Sequence, residues 1–410
     1  MALPPPPGLP LRPQTRTEVY AIPKISDNIQ DLPPDLDRRD ELGFLRSYTT
    51  LKSLSQGPFS TVTMCDWHTA LRPKPNTAPL VELPTRFGAG TRLIALKTFT
   101  IPDGQDLSSV RELEVLRILP PHRNIIPFYD YFYTPQDRKL HLALGAMEGN
   151  LYHLFKARKG RPFAGGLVSS ILHQTLLGLD WLHSHSFMHR DLIPENILVT
   201  TLGLIDYEVV PVTPDAQTSA DGVKEKDVIV IIKLCDFGLS RQIGSVGPYT
   251  EYITTRWYRA PEIVLFGPHY TAAVDMWAFG VIAAEVLKLS PLFPGKDQLD
   301  QLRCFFSVLG SPLEEPPIDA NGGSVNGRVW PAGFALARAT GFEIPEVAPV
   351  HFPSLFDPAT PTSLLTCIQE LLAYDSDLRP TSRVCLNHPY FLDTVSHRQS
   401  TTPILLSDSD

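Results

Sequence analysis

The hydrophobic period changes once along this chain, and that change limits the folds open to it. From Tyr48 the stretch YTTLKSLSQGPFSTVTMCDW alternates apolar and polar residues on either side of Gln56-Gly57, the pattern of two strands joined by a glycine turn. RLIALKTF (residues 92–99) predicts a third, mostly apolar strand, and two more fall around IIPFYDYFY and KLHLALGA. One helix interrupts them: SSVRELEVLRIL has apolar residues at 110, 113, 116 and 119, which share a helical face. Afterwards helical spacing dominates, in GLVSSILHQTLLGLDWLHSH, TAAVDMWAFGVIAAEVLKL, LDQLRCFFSVLG and PTSLLTCIQELLAYD. Strands first and helices afterwards predict an α+β, bilobal chain: a small β-rich lobe to about Met147, a larger α-helical lobe after it, and a ligand cleft where they meet.

Composition narrows the partners. With 410 residues, 43% of them hydrophobic, the chain can bury a substantial core. A net charge of −8 leaves no basic footprint for a phosphate backbone, so nucleic acid is not an expected partner. The cysteines, 65, 235, 304, 367 and 385, form no C-x-x-C pair, which excludes a disulfide framework or zinc site and fits a reducing, intracellular compartment, cytoplasmic or nuclear. No signal-peptide core and no run of about 18 apolar residues points to a membrane. Prolines concentrate in residues 1–45, which read as an extended, poorly ordered arm or a proline-motif docking segment. Residues 69–91 and 201–228 read as loop insertions, and 393–410, ending in SDSD, as a flexible tail.

Charged residues recur in an order that suits one chemistry. Moving the terminal phosphoryl group of ATP to a hydroxyl requires a cation at the α- and β-phosphates, hard oxygens for Mg2+, and a carboxylate to receive the hydroxyl proton. Lys97, on the third strand, supplies the cation, and a carboxylate on the following helix would fix it: Glu112, with Glu114 on another face as the alternative. HRDLIPEN (residues 189–196) supplies Asp191 as proton acceptor and Asn196 as a neutral metal ligand, and CDFG supplies Asp236. Alone, a strand lysine is a solvated edge charge and DFG a chance tripeptide. Their joint order, with Asp191 and Asn196 five positions apart, outweighs that reading, and also a metal site at His183, His185 and His189.

With these elements in place, residues 46–392 resemble a eukaryotic protein kinase domain. PYTEYITTRWYRAPEIVL, VDMWAFGVIAAEVL and PLFPG are similar to the group of cyclin-dependent, MAP and related kinases. EGNLYHLFKARKGRPFAGGLVSSILHQTLLGLDWLH and the insertion before DFG resemble fungal meiosis-induction kinases and the related male-germ-cell-associated kinases. The resemblance implies ATP held by Leu54, Gly57, Val62, Ala95, Lys97, Glu112, Met147 and Leu198, with Leu144 as gatekeeper, Gly145 to Met147 as hinge, and Mg2+ on Asn196 and Asp236. It implies phosphorylation of Thr250 and Tyr252 by an upstream kinase, with Arg190, Arg256 and Arg259 pairing the new phosphates. It further implies a monomer acting on Ser/Thr protein substrates, Thr255 near Asp191, a proline-directed preference through Arg259, a structural Glu262–Arg379 pair, and Asp275 beneath the catalytic loop.

The sequence departs from that pattern at residues that bear on rate. Ile193 stands where family members carry a lysine near the transferred phosphate, a loss worth about 2.7–4 kcal/mol if it removes one transition-state donor. Ser55 and Ser60 replace the outer glycines of the phosphate-covering loop, and Gly145 replaces a frequent acidic residue. Three readings therefore stay open: an active, slow kinase; an ATP-binding scaffold with a kinase outline; and phosphoryl transfer to a non-protein substrate.

Overall fold

Period-two stretches pair as strands in the computed structural model, which describes residues 17–21, 45–57, 60–68, 92–104, 106–134, 137–202, 229–244, 256–267, 270–315 and 328–392. The chain divides into two units, Met1–Met147 and Glu148–Asp410. In the first unit, β1 (Thr17–Ala21), β2 (Leu45–Gln56), β3 (Ser60–Trp67), β4 (Leu93–Thr100), β5 (Phe128–Thr134) and β6 (Lys139–Gly145) form one antiparallel sheet in the order β1-β2-β3-β4-β6-β5, and α1 (Arg111–Ile118) lies between β4 and β5 in sequence. One face is buried: Cys65 and Trp67 of β3 and Ile94 and Leu96 of β4, each pair two residues apart, join Tyr48 and Phe132, with the Tyr48 and Trp67 rings stacked at 5.9 Å. Arg46 of β2 bonds Asp130 of β5 at 2.7 Å, although three strands separate them in the sheet, so the sheet curls strongly.

β1 differs from the sequence expectation. Residues 1–45 read as a poorly ordered arm, yet Thr17–Ala21 pair with β2 from Thr17↔Thr49 to Ala21↔Leu45, satisfying the backbone groups of what would otherwise be an edge strand. The other residues of that arm, up to Phe44, lie outside the described residues, as do the insertion 69–91 and the tail 393–410. The second insertion also begins later than expected, because Thr201 and Leu202 still pair with Val230 and Ile229.

The second unit is helical. It comprises β7 (Gly149–Asn150), α2 (Leu151–Arg158), α3 (Gly165–Ser184), β8 (Phe187–Met188), β9 (Ile197–Leu202), β10 (Ile229–Leu234), β11 (Arg241–Gln242), α4 (Pro261–Val264), α5 (Ala273–Lys288), α6 (Gln298–Leu309), α7 (Pro331–Thr340), α8 (Thr362–Leu371) and α9 (Ser382–Leu386). Every residue of α5 from Val274 to Val286 is buried, as befits a helix apolar on nearly all sides. Gly280 admits α8, since a Cβ there would stand 2.8 Å from Leu371 Cβ. Trp277 of α5 packs against Phe305 edge-on at 5.1 Å and against the Arg379 guanidinium at 5.1 Å.

Arg379 is the polar centre of this core. Its side chain is 0% exposed and donates to both Glu262 carboxylate oxygens (2.7 and 2.8 Å) and to the carbonyls of Ala373, Tyr374 and Ala273. Such a pair is costly to form and more costly to break on one side. Arg379→Leu should therefore lose about 3–5 kcal/mol of stability in urea unfolding followed by tryptophan fluorescence. A loss under about 1 kcal/mol would show that the Glu262 carboxylate finds other solvation.

Candidate active site

Within the first unit, β4 and α1 bring two charges together. Lys97 Nζ lies 2.7 Å from Glu112 Oε2, with side chains only 9% and 2% exposed. Glu112 faces inward with Leu113, Val115 and Leu116, whereas Glu114 is exposed, so the geometry selects Glu112 from the two alternatives. Strand register sets the neighbours: Val62 stands opposite Lys97, and Ala95 lies between Met64 and Leu144. Leu54 and Gly57 are exposed at the β2–β3 end, where Gly57 N donates to Ser60 O at 2.9 Å and Ser55 pairs with Val62. Met147 is half-buried at the end of this unit. Gly145 has a steric explanation: its N–H donates to Pro127 O at 2.8 Å, and a Cβ would come within 2.8 Å of the proline ring.

In the second unit a hairpin brings an acidic and an amide side chain to one end. β9 and β10 pair Ile197 with Leu234, which places Asn196 and Asp236 at the same end, and Cys235 N donates to Asn196 O at 3.0 Å. Asn196 Nδ2 donates to Asp191 O (2.8 Å) and to Asp191 Oδ2 (3.1 Å), so its Oδ1, a neutral hard oxygen, is the atom left to meet a cation. Leu198, half-buried on β9, pairs with Asn150 and Lys233. Arg190 and Asp236 both adopt left-handed backbone angles, φ 69 and 64, a strain of about 1–3 kcal/mol at a non-glycine residue.

Asp275, at the start of α5, offsets that strain. Its carboxylate accepts the N–H groups of His189 (2.7 Å) and Arg190 (2.8 Å) and the Nε2 of His183 (3.0 Å). Hydrogen bonds to a charged group contribute about 1.5–3 kcal/mol each, enough to hold the catalytic loop in its strained form. Burial raises the Asp275 pKa, but the His183 bond and charge, with the Arg190 N–H, outweigh it and hold the carboxyl below the usual carboxylate range.

The three histidines have structural partners. His183 Nδ1 meets Ser382 Oγ at 3.1 Å, His185 Nδ1 meets Trp181 O at 2.8 Å, and His189 Nε2 meets Cys235 O at 3.0 Å while its ring packs on buried Phe237. Among the described residues, no group of three or more His, Cys, Asp or Glu side chains is arranged to hold a metal ion. Asn196 Oδ1 and the Asp236 carboxylate do suit Mg2+, which takes one or two protein oxygens and completes its shell with water and phosphate.

Thr250, Tyr252 and Thr255 lie outside the described residues. Of their expected partners, Arg256 is exposed, and Arg259 is half-buried beside a pocket next to Asp191. Arg190 donates to Leu239 O at 3.0 Å and to the Tyr270 hydroxyl, with the Tyr270 ring beneath it. Arg241, which no local sequence pattern marks, pairs in β11 with Met188 of β8, two residues before Arg190.

Residues 89–391 match the family described as the protein kinase domain. The chain belongs to the protein kinase family. It is 32% identical over 310 residues to the meiosis induction protein kinase IME2/SME1 of Saccharomyces cerevisiae, covering 74% of this chain and 46% of that protein. It is 34% identical over 304 residues to the sporulation protein kinase mde3 of Schizosaccharomyces pombe (74% and 49%), and 30% identical over 347 residues to the serine/threonine-protein kinase MAK of Homo sapiens (85% and 46%). The kinase domain is thus of the cyclin-dependent, meiosis-induction and male-germ-cell group, and the chain spans about half the length of these relatives.

A buried carboxylate of α5 gives the kinase a pH signature. Burial pushes Glu285 up to about 7; the Tyr258 hydroxyl donates to it at 2.7 Å and opposes the shift, and Glu195 adds to it. Its folded pKa is raised from 4.5, so its contribution to stability is full below about pH 4.5 and is lost as pH rises through about 7. Relative to Glu285→Gln, the wild type should lose about 3 kcal/mol between pH 4.5 and 8. Chemical denaturation across that range checks it; parallel curves for the two proteins would contradict it.

Proposed function

We propose that the chain is a serine/threonine protein kinase that transfers the γ-phosphoryl group of ATP to protein hydroxyls. The closed Lys97–Glu112 pair carries this reading. A buried ion pair adds little net stability, so a chain without phosphates to hold gains little from keeping one in such geometry. Lys97, ordered by Glu112, would neutralise the α- and β-phosphates, with Val62 and Ala95 beside it on the same sheet against the adenine. Asn196 Oδ1 and Asp236 would hold Mg2+, which when bound draws negative charge from the phosphates. Asp191, fixed by Asn196, accepts the proton of the incoming Ser or Thr hydroxyl.

A proline-directed preference is supported by Arg259, half-buried next to Tyr258 and Ala260 in the segment before α4. Control by an upstream kinase at Thr250 and Tyr252 is supported by the cations Arg190, Arg256 and Arg259. Ile193 favours a second reading, an ATP-binding scaffold with little or no transfer activity.

Incubation with Mg2+ and radiolabelled ATP separates the two. The enzyme reading expects label in a basic, proline-containing peptide, lost in Asp191→Asn, and a gain of about a hundredfold in kcat for Ile193→Lys with little change in the KM for ATP. Label that persists in Asp191→Asn, or none in either protein, would leave the scaffold.

A further inference from the structure

The chain carries 44 Asp and Glu residues, yet none falls between Gly149 and Leu179. That stretch holds four cations close together, Lys156, Arg158, Lys159 and Arg161, at the turn that joins α2 to α3. Lys156, Lys159 and Arg161 are exposed, and among the described residues none of the three meets a carboxylate; Lys156 Nζ stands over the Tyr152 ring, 4.3 Å from its centre. Lys156 and Arg158 lie in the last turn of α2, where a cation complements the helix dipole, but that effect fades beyond the turn and does not account for Lys159 and Arg161.

The turn is held in one shape. Arg158 braces it: Nε donates to Arg161 O (3.1 Å), Nη2 to Pro162 O (2.6 Å), and the guanidinium lies 5.4 Å from the ring centre of buried Phe163. Lys159 N donates to Lys156 O at 3.3 Å and Arg161 N to Arg158 O at 3.0 Å, which gathers the four cations along a single turn of backbone. Lys159 adopts a left-handed φ of 50, a conformation that a non-glycine residue keeps only where its surroundings impose it. Like charges held this close repel, and an anion relieves the repulsion. A cluster ordered beforehand also loses little freedom on binding one.

The chemistry of the turn selects the anion. Two of the three exposed cations are lysines, point charges without the planar fork that grips a phosphate at two oxygens, so the cluster suits a string of separate carboxylates. The chain as a whole has a net charge of −8 and would be repelled by an extended anionic surface, nucleic acid or bilayer, whereas a short peptide touches this turn alone. The location also suits a substrate. α2 packs on Pro194–Asn196, whose Asn196 amide bonds Asp191, and its eight residues span about 12 Å, a distance that about four extended peptide residues cover.

We propose that the α2–α3 turn, through Lys156, Lys159 and Arg161, is a docking surface for an acidic peptide segment of the kinase's protein substrates. The assignment to substrates rests on the kinase reading above; the affinity for acidic peptide rests on the turn alone.

Fluorescence anisotropy of a labelled glutamate-rich peptide with the full chain tests the binding. The wild type should bind it, with a Kd that rises at least about tenfold between about 50 and 300 mM NaCl. The double variant Lys159→Glu/Arg161→Glu should bind at least about tenfold more weakly at low salt, and Lys159→Arg/Arg161→Lys should bind as the wild type does. Reversal at two exposed cations elsewhere, Lys296→Glu/Arg303→Glu, should change the Kd less than about twofold. Binding that survives the reversal at 159 and 161, or that falls equally with the reversal at 296 and 303, overturns the proposal, because it then follows net charge and not the turn. Tighter binding to a DNA duplex or to phosphatidylserine vesicles than to the peptide, lost in the same variant, overturns it too. If thermal unfolding shows that the reversal at 159 and 161 does not fold, Lys159→Gln/Arg161→Gln takes its place, with a loss of at least about threefold expected. Kinetics test the assignment to substrates: a glutamate-rich extension of a peptide substrate should lower its KM at least about fivefold at unchanged kcat, and the reversal at 159 and 161 should remove that gain. An extension without effect on the wild-type KM rejects the assignment. Should no Asp191-dependent transfer occur, the kinase reading fails, and the anisotropy still accepts or rejects the turn as a site for acidic peptide.

Discussion

The buried carboxylate of Asp275 is the interaction on which the larger unit's chemistry depends. It accepts two consecutive backbone N–H groups, of His189 and Arg190, and so keeps Arg190 at a positive φ that a non-glycine residue avoids when free to choose. That angle turns the chain so that Asp191 follows directly, within reach of the Asn196 amide. His183 supports the same carboxylate from α3, and Ser382 and Asp180 extend the bonding to α9. Helices remote in sequence therefore converge on the two residues that precede the proton acceptor.

Charge is distributed in this domain with a purpose that differs from one pair to the next. Glu262 and Arg379 meet deep in the core, in bidentate contact and with three further carbonyl partners, and act on stability. Lys97 and Glu112 meet at 2.7 Å and tie β4 to α1 within the smaller unit. Tyr258 and Glu285 form a neutral-to-ionised pair near neutrality, coupling the segment before α4 to α5. Ile193, an apolar residue, lines one pocket with Asp191 and Arg259.

Much of the site was legible because its residues sit in short, ordered strings. HRDLIPEN and CDFG name Asp191, Asn196 and Asp236 without any knowledge of distance, and the helical spacing of 110, 113, 116 and 119 identifies the buried stripe of α1. Spacing favours Glu112 over Glu114, which lies on another face, but only packing against β4 shows that the Glu112 carboxylate reaches Lys97. Short elements such as α2 and α7 have no clear sequence signal, since LYHLFKAR and PAGFALARAT carry too few apolar residues to mark a face. β1 escaped because a five-residue strand within a proline-rich arm is stabilised by its partner strand and not by its own pattern.

By itself, the sequence determined the class of fold, the order of the chemical groups and the places where they depart from the family, since these depend on local periodicity and residue identity. Tertiary structure alone decided which carboxylate holds Lys97, that Asp275 strains Arg190, that Gly145 is required by Pro127, and that Arg241, Tyr270 and Glu285 stand beside the site. Those contacts join residues tens of positions apart, and a linear pattern holds no measure of the closure that brings them together.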